Sequence, residues 1–536
     1  MIKTYKETID PSQAAWLSLL PGLEDKVVCI IGDDTYNLVE ILKRCGCHHV
    51  ECIGLEPLVI SDLRIGLYDI SVILPDRLSS IKALAKILIR SLRPDGILLI
   101  GTSNTLSVKM VDMKLSRSLE KVGFNSIEPF ICTPSFNNPL DIFPVGKNDD
   151  FNKIVFRQFR DKCFLNRNIK SLVKDAIKYL LFITRGWINP SFGMLLICRK
   201  RKTGYWDFQE LLETKCLGRR AELHKRRFLI TWHSKHFVGK HVGLAYQIQN
   251  KKEPLEIVIK KSNFSYHRAG ALNEEHTHLK TFCEHEAFFN ETGIAIPKPV
   301  CKKESKGLNI LTVETAVMGT PLKKLGLNKQ VNFKQYQTIV DGLINCQINF
   351  QVYFSKVLDK NCRTVPDICF ENSAGFECDL YEDISRISDY QRFAQHGDYT
   401  DVNLFYQFDT KRYGIIDWEW FSRGLPPLFD LFHFFLSIGF TRQDSSYQNE
   451  LTSFADTFFS KNWFSDYIEK KVMEYIDRFK LEIDSVYPFF MDFLLFLHNK
   501  YYLFYNFPFY LNLHRKMIVH AVNNKETFFM NQVTAG

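Results

Sequence analysis

The stretch HGDYTDVN at residues 396–403 is followed by a short apolar run and then by GIIDWEW at residues 414–420. The apolar run, Leu404 to Phe408, predicts a strand, and a tight turn predicts a return strand that ends in Asp417. Two antiparallel strands joined by a short turn form a hairpin, whose strand ends lie side by side. We therefore expect Asn403 and Asp417 to lie close enough to share an ion.

The polar residues of this stretch meet the requirements of phosphoryl transfer. One carboxylate has to accept the proton of an attacking hydroxyl, while a carboxamide and a second carboxylate hold Mg²⁺ against the nucleotide phosphates. Asp398 fits the first role, and Asn403 and Asp417 fit the second. The sequence thus predicts Asp398 as the catalytic residue and the other two as metal ligands.

The whole pattern resembles the aminoglycoside phosphotransferase and choline kinase superfamily, whose signature is H-G-D-x4-N followed by I-D-W/F-E. Residues 424–426 and 430–431 match that family's later G-x-P and D-L segments. The resemblance implies an α+β, bilobal, protein-kinase-like fold. It also implies ATP-dependent phosphorylation of a hydroxyl or amine on a small-molecule or glycan acceptor. A kinase-like binding or scaffold protein without catalysis is the alternative, although all three polar roles are filled here.

Upstream, the run from Leu255 to Lys260 is a β-branched strand that ends in lysine, as the third strand of kinases does. Lys260 is expected to neutralise phosphate charge. Neighbouring Lys261 points to the other face of the strand, so only one of the two can face the nucleotide.

A helix predicted over roughly 271–291 should supply the glutamate that pairs with this lysine. Glu275 and Glu286 lie along its apolar face, and Glu284 lies nearer the edge of that face. In the family, the spacing between this glutamate and the segment that corresponds to residues 296–299 favours Glu284 or Glu286. The position on the apolar face favours Glu286.

The strand from Leu311 to Val313 leads into residues 314–319, which resemble the hinge that binds adenine in kinases. We expect the backbone groups of Glu314 and Ala316 to hold the base of ATP.

The N-terminal half predicts a different fold, because short apolar strands alternate with helices. This alternation is typical of an α/β, Rossmann-like, doubly wound parallel sheet. The order of the strands and their sequences resemble those of class I S-adenosylmethionine-dependent methyltransferases, with YDISVI at 68–73 and LRPDGILLI at 92–100. Residues 192–200 resemble the last, antiparallel strand of that family.

The loop that would hold S-adenosylmethionine departs from the family pattern. After Gly32, residues 33–36 read DDTY where two further glycines are expected, and side chains there occupy space that the cofactor needs. Glu56 stands near the distance at which such folds place a ribose-binding acid. Gly32 and Glu56 are the candidate cofactor residues, and an active methyltransferase and a non-binding relic both remain open.

The two resemblances divide the chain into a methyltransferase-like domain, 1–202, and a kinase-like domain, 203–536. Within the second, we predict an N-lobe over 203–325 and a C-lobe over 326–536.

A net charge of +11 falls in residues 151–202, whereas the whole chain carries +9. We predict a basic helical insert over 151–190, in which Lys170, Lys174 and Lys178 recur on one helix face. This face could contact an anionic surface, or it is the solvated side of a lid helix. We do not expect nucleic acid as the partner of the basic segment, since no recognised nucleic-acid-binding fold accompanies it.

The first residues contain no long apolar core, and the longest apolar run, Phe489 to Leu497, is too short to span a bilayer. The 14 cysteines follow no framework spacing, as in proteins of reducing compartments. We therefore expect a cytoplasmic transferase with ATP and Mg²⁺ as cofactors. A bifunctional methyltransferase-kinase acting on one acceptor is the alternative.

Overall fold

A computed structural model gives the fold. The residues that it describes are 16–17, 19–20, 23, 25–32, 38–44, 46–54, 65–73, 81–102, 108–134, 139–144, 193–200, 228–235, 240–247, 255–262, 266–304, 310–327, 332–357, 393–442, 450–501 and 508–529.

The chain divides into two compact units. Unit 1 comprises Met1–Asn273 with Pro299–Ala316, and unit 2 comprises Glu274–Lys298 with Val317–Gly536. The chain passes from unit 1 into unit 2 between Ala316 and Val317, which lie in the segment predicted as the hinge. The division does not run at residue 202: most strands of the predicted kinase N-lobe belong to unit 1, whereas the short strands at 294–295 and 320–321 belong to unit 2.

Among its described residues, unit 1 contains one long sheet and three helices that precede the kinase-like part. Its first seven strands are β1 (Val27–Ile31), β2 (His49–Ile53), β3 (Tyr68–Ile73), β4 (Leu92–Thr102), β5 (Ser126–Pro134), β6 (Pro139–Pro144) and β7 (Gly193–Arg199). The helices are α1 (Leu38–Arg44), α2 (Ile81–Ser91) and α3 (Val108–Val122).

The strands β2, β1, β3 and β4 are neighbours in that order and run parallel. The inner strand β1 is apolar on both faces, and all five of its residues are buried, as expected of a parallel strand covered on both sides. The edge strand β2 is less buried, with His49 and Cys52 exposed. β7 lies antiparallel between β4 and β5, with Leu99 opposite Ile197 and Pro129 opposite Leu196. The parallel sheet and the final antiparallel strand follow the sequence prediction.

The kinase-like strands extend the same sheet. They are β8 (Phe228–Lys235), β9 (Lys240–Gln247), β10 (Leu255–Ser262), β12 (Pro299–Glu304) and β13 (Ile310–Thr315), ordered β12-β13-β10-β9-β8. β8 then pairs with β6 through Asp141 opposite His233 and Ile142 opposite Trp232. This ladder explains why unit 1 continues past the predicted boundary, since backbone hydrogen bonds join the two parts edge to edge.

Helix α4 spans Tyr266–Glu284, and a separate short helix, α5, spans Glu286–Glu291. The prediction of one continuous helix over 271–291 is therefore wrong at His285, where the backbone turns. A hydrophobic period extrapolated through such a break assigns the wrong face to every residue beyond it.

In the described residues, unit 2 holds the remaining helices and two small sheets, one of four strands and one of two. Its strands are β11 (Ile294–Ala295), β14 (Thr320–Pro321), β15 (Phe393–Gln395), β16 (Leu404–Gln407), β17 (Arg412–Ile415) and β18 (Ser422–Leu425). Its helices after α5 are α6 (Leu322–Leu327), α7 (Phe333–Val357), α8 (Phe429–Arg442), α9 (Glu450–Phe458), α10 (Trp463–Phe479), α11 (Val486–Lys500) and α12 (Pro508–Asn523), with 3₁₀ turns at Trp418–Trp420, Ile483–Ser485 and Lys525–Thr527.

The core of unit 2 is rich in aromatic side chains. The Trp418 ring lies 4.7 Å from the Phe282 ring and 5.1 Å from the Phe350 ring, and all three side chains are buried. Such edge-on and tilted pairs add roughly 0.5–1.5 kcal/mol each beyond the burial of area. This packing fixes the turn that follows Asp417.

None of the helices in the described parts of the chain combines the length and apolar content needed to cross a membrane. The predicted basic insert at 151–190 lies outside the described residues.

Candidate functional site

The loop at 396–398 connects β15 to the hairpin of β16 and β17. The His396 side chain is buried, and its Nδ1 lies 3.2 Å from the backbone N of Asp398, which donates to it. Nδ1 is therefore unprotonated, and Nε2 donates to the carbonyl of Ile416 at 2.9 Å. Burial lowers the pKa of His396 to about 4, so the ring is neutral and ties the loop to the end of β17.

The buried carboxylate of Asp430, in the first turn of α8, holds the same loop from the other side. Its two oxygens accept hydrogen bonds from the backbone N of His396 at 2.6 Å and of Gly397 at 2.8 Å. Gly397 has a φ of 78°, a conformation that glycine adopts at no steric cost. The D-L segment recognised in the sequence thus acts by fixing the backbone that precedes Asp398.

Both carboxylate oxygens of Asp398 have partners. Oδ2 accepts from Nδ2 of Asn403 at 2.9 Å, and Oδ1 lies 3.0 Å from Nζ of Lys500. Burial by itself raises the pKa of Asp398, but the Lys500 ammonium, His433 and the hydrogen bond from Lys500 together outweigh this effect and bring the pKa to about 2. Asp398 is therefore ionised and able to accept a proton at neutral pH.

The hairpin brings the two predicted metal ligands together. Leu404 pairs with Ile415, and the backbone N of Ile416 donates to the carbonyl of Asn403 at 3.1 Å. Asn403 and Asp417 thus lie at neighbouring strand ends, as the spacing predicts. Because Nδ2 of Asn403 is engaged with Asp398, the carboxamide oxygen is the atom that remains for a cation.

Asp417 occupies the left-handed region, with a φ of 69° and a ψ of 57°. This conformation is uncommon for a residue with a Cβ and concentrates at functional sites. The buried tryptophans that follow hold it in place.

Three buried carboxylates meet at this point. Oxygens of Glu275, Asp417 and Glu419 all lie within 4.8 Å of one another, and the backbone N of Trp418 donates to Glu275 Oε1 at 3.0 Å. Oxygen donors are the ligands that Mg²⁺ prefers, and one or two protein carboxylates usually suffice. The donor set of Asn403 and Asp417, with two further carboxylates beside it, therefore fits a divalent cation.

In unit 1, the predicted phosphate-binding lysine lies in a buried ion pair. Nζ of Lys260 is 2.9 Å from Oε1 of Glu314, and both side chains are about one-twentieth exposed. Lys261 points to the other face, as expected, where its Nζ donates to the carbonyl of Leu20 at 3.0 Å. The backbone roles of Glu314 and Ala316 toward adenine stay predictions.

Glu286 does not occupy the place expected of it. It begins the short helix α5, is more than half exposed, and pairs with Lys298 at 2.6 Å. Glu275, on the regular part of α4, is buried beside Asp417 instead. The helix break at His285 is the reason, because Glu286 no longer shares the face of Glu275.

Of the candidate S-adenosylmethionine residues, Gly32 closes β1 with a φ of 124°. Its backbone N donates to the carbonyl of Ile53 at 3.0 Å, which joins the ends of β1 and β2. Glu56 and residues 33–36 lie outside the described residues.

Sequence reasoning missed Lys500 and His433. His433, one turn after Asp430 on α8, places Nε2 3.9 Å from Oδ1 of Asp398, and burial lowers the pKa of its ring to about 3. A signal for Lys500 was present, since it continues the spacing of Phe489, Phe493 and Phe496 on one face of a helix. A lysine on such an apolar face is buried only with a partner.

No protein-family model matches the chain, and no curated protein matches it. Solved structures do show similarity. A putative aminoglycoside phosphotransferase from Ralstonia eutropha has 11% identity and a TM-score of 0.38, covering 61% of this chain and 97% of that one. An aminoglycoside phosphotransferase from Streptomyces rimosus, solved with ADP and streptomycin, has 12% identity and a TM-score of 0.30, covering 52% and 90%.

A phosphoethanolamine N-methyltransferase from Haemonchus contortus, solved with S-adenosylhomocysteine, is also similar, with 13% identity and a TM-score of 0.23. The match covers 36% of this chain and about half of the methyltransferase, 53% of its length. Both families that the sequence motifs resemble are thus found among the similar structures. Similarity of this degree assigns no activity to the chain.

Proposed function

We propose that the chain is a phosphotransferase that moves the terminal phosphoryl group of ATP to a hydroxyl or amine of a small-molecule or glycan acceptor. The observation that carries the proposal is the constellation around Asp398. Its carboxylate is ionised and held at both oxygens, and the two metal-ligand candidates lie at adjoining strand ends beside it.

In the reaction, Asp398 accepts the proton of the acceptor group as that group's oxygen or nitrogen forms a bond to the γ-phosphorus. The bond between this phosphorus and the bridging oxygen breaks, and ADP leaves with the electron pair. Asn403 and Asp417 would hold the metal, and Lys260 is proposed to balance phosphate charge. Mg²⁺, when bound, neutralises the charge that develops on the phosphate oxygens.

The N-terminal half supports a second, weaker proposal. Its parallel sheet with a final antiparallel strand is the framework expected of a methyltransferase, and Gly32 ends β1 in a conformation suited to glycine. A chain that binds S-adenosylmethionine as well as ATP would be bifunctional. A chain that binds ATP without turnover would be a sensor or scaffold.

The test is Mg-ATP turnover and binding by the purified full chain and three variants. Asp417→Ala should lower turnover by roughly 10³-fold, because it removes a charged ligand of the metal. Asp398→Asn should lower turnover by about 10²–10⁴-fold and leave Mg-ATP affinity near that of the unaltered protein, since it removes proton acceptance.

Asp409→Ala, at the exposed turn of the same hairpin, is the matched control and should change neither quantity. Near-normal turnover by Asp417→Ala would refute the metal assignment. Equal losses of affinity in the Asp398 and Asp417 variants would refute the division of roles. Tight Mg-ATP binding without any turnover would favour the scaffold.

A further inference from the structure

Lys500 is the last residue of α11 and is almost completely buried, with 3% of its side chain exposed. Removing an ammonium group from water costs several kcal/mol, so a buried lysine persists only with a compensating partner. The partner here is Asp398, at 3.0 Å. The buried lysine is therefore directed at the proposed catalytic carboxylate.

The same ammonium group contacts a second part of the site. It lies 4.3 Å from the centre of the Trp420 ring, a distance at which the aromatic face attracts a cation. Trp420 belongs to the 3₁₀ turn that begins directly after Asp417. Lys500 thus bridges the loop that carries the base and the turn that follows the metal ligand.

The geometry at Asp398 shows what this bridge does. Asn403 holds Oδ2 and Lys500 holds Oδ1, so the carboxylate cannot rotate without losing one of two charge-assisted hydrogen bonds. Each carboxylate oxygen has two acceptor sites, and one on each remains for the acceptor group. Asn403 fixes one oxygen from a neighbouring loop position, whereas Lys500 fixes the other from a distant helix.

We propose that Lys500 is a positioning residue for phosphoryl transfer, which orients the carboxylate of Asp398 toward the acceptor group by holding its Oδ1. This inference rests on the proposed phosphotransferase function and adds a residue from α11 to it. Misplacement of a reacting group by about 1 Å costs roughly 10²-fold in rate, which sets the expected size of the effect.

The experiment measures phosphate release from Mg-ATP by the full chain, with water as the acceptor, and Mg-ATP binding by calorimetry. Lys500→Met keeps the length of the side chain and removes its charge, while Lys500→Arg keeps the charge. Lys500→Met should lower kcat by about 10²-fold and leave KM for Mg-ATP unchanged within about twofold. Lys500→Arg should recover part of the loss.

Lys471→Met is the matched control. Lys471 also pairs with a carboxylate, that of Asp341 at 3.1 Å, and also lies over an aromatic ring, that of Tyr467 at 5.8 Å. It lies on α10 and contacts none of the proposed site residues in the described part of the chain. Its loss should leave kcat unchanged, so a general effect of removing a paired, partly buried lysine is separated from a specific one.

A second comparison asks whether Lys500 acts through Asp398. In the Asp398→Asn background, adding Lys500→Met should lower kcat no further, because the carboxylate that it orients is already gone. Additive losses would overturn the proposal, as would a Lys500→Met protein with unchanged kcat or a loss that appears only in KM. If Lys500→Met does not fold, failure of the folded Lys500→Arg protein to retain any turnover would also overturn it.

The two proposals fail in different ways. If Asp417→Ala abolishes turnover and Lys500→Met does not affect it, the positioning role is wrong and the phosphotransferase stands. If the unaltered protein neither binds Mg-ATP nor releases phosphate from it, the phosphotransferase is wrong and the positioning role with it.

Discussion

Replacement of Gly397 by alanine tests whether the loop before Asp398 is held as tightly as the structure shows. Gly397 has a φ of 78°, and a Cβ added there would overlap the carbonyl oxygen of Trp420 and lie 2.9 Å from its carbonyl carbon. The loop cannot move aside freely, because the backbone N of Gly397 donates to the buried Asp430 carboxylate. The substitution therefore strains the conformation and the packing at once.

The magnitude follows from three contributions. The left-handed conformation costs alanine roughly 1–2 kcal/mol, and overlap with a packed backbone group costs about 1–3 kcal/mol. Alanine also restricts the unfolded chain more than glycine does, which offsets about 0.4–1 kcal/mol of this destabilisation. We expect Gly397→Ala to lower the free energy of unfolding of unit 2 by roughly 1–5 kcal/mol. A shift of Asp398 by about 1 Å should lower Mg-ATP turnover by roughly 10²-fold.

Gly293→Ala is the matched control, since Gly293 also has a positive φ, 70°, but a Cβ there would meet nothing within 4 Å. Urea unfolding followed by fluorescence gives the two stability changes, and phosphate release below the unfolding midpoint gives the rates. The difference between the variants isolates the contact with Trp420. Equal destabilisation by both, with normal turnover in Gly397→Ala, would refute the close approach.

Three further predictions concern pH and the N-terminal half. Burial lowers the pKa of His514 to about 3 from an ordinary value of 6.5, so the unfolded chain takes up its proton first as the pH falls. The stability that neutral His514 contributes is present above pH 6.5 and is lost toward pH 3, at up to about 1.4 kcal/mol per pH unit. His514→Phe should therefore make the free energy of urea unfolding less sensitive to acid. An unchanged pH dependence would contradict this expectation. Calorimetric titration of the full chain with S-adenosylhomocysteine should show weak or no binding, because Asp34 and Tyr36 replace expected glycines; low-micromolar affinity that Glu56→Ala abolishes would instead support a working cofactor site. Replacing Lys170, Lys174 and Lys178 together by glutamine should weaken binding to anionic vesicles at low salt without lowering the unfolding midpoint, whereas absence of binding by the unaltered protein would leave the solvated lid helix as the explanation.

The sequence by itself determined those parts of the site that depend on short-range geometry. The spacing from Asn403 to Asp417 spans one hairpin, whose strand ends must adjoin, and the structure pairs Leu404 with Ile415 accordingly. Strand periodicity likewise predicted that Lys260 and Lys261 point to opposite faces, and they do. In the N-terminal half, the alternation of short strands with helices predicted the parallel sheet, since parallel neighbours need a crossover connection between them.

Tertiary structure alone decided which distant side chains complete the site. Lys500 reaches Asp398 because α11 packs its aromatic face into the core of unit 2. The helical period marks Lys500 as buried but does not encode which distant carboxylate it meets. The turn at His285 starts a new helix with Glu286, which pairs with Lys298, whereas Glu275 on α4 lies beside Asp417. The pairing of β6 with β8 likewise joins the two sequence-defined domains in one sheet, since strand edges pair by backbone hydrogen bonds that are insensitive to the motifs on either side.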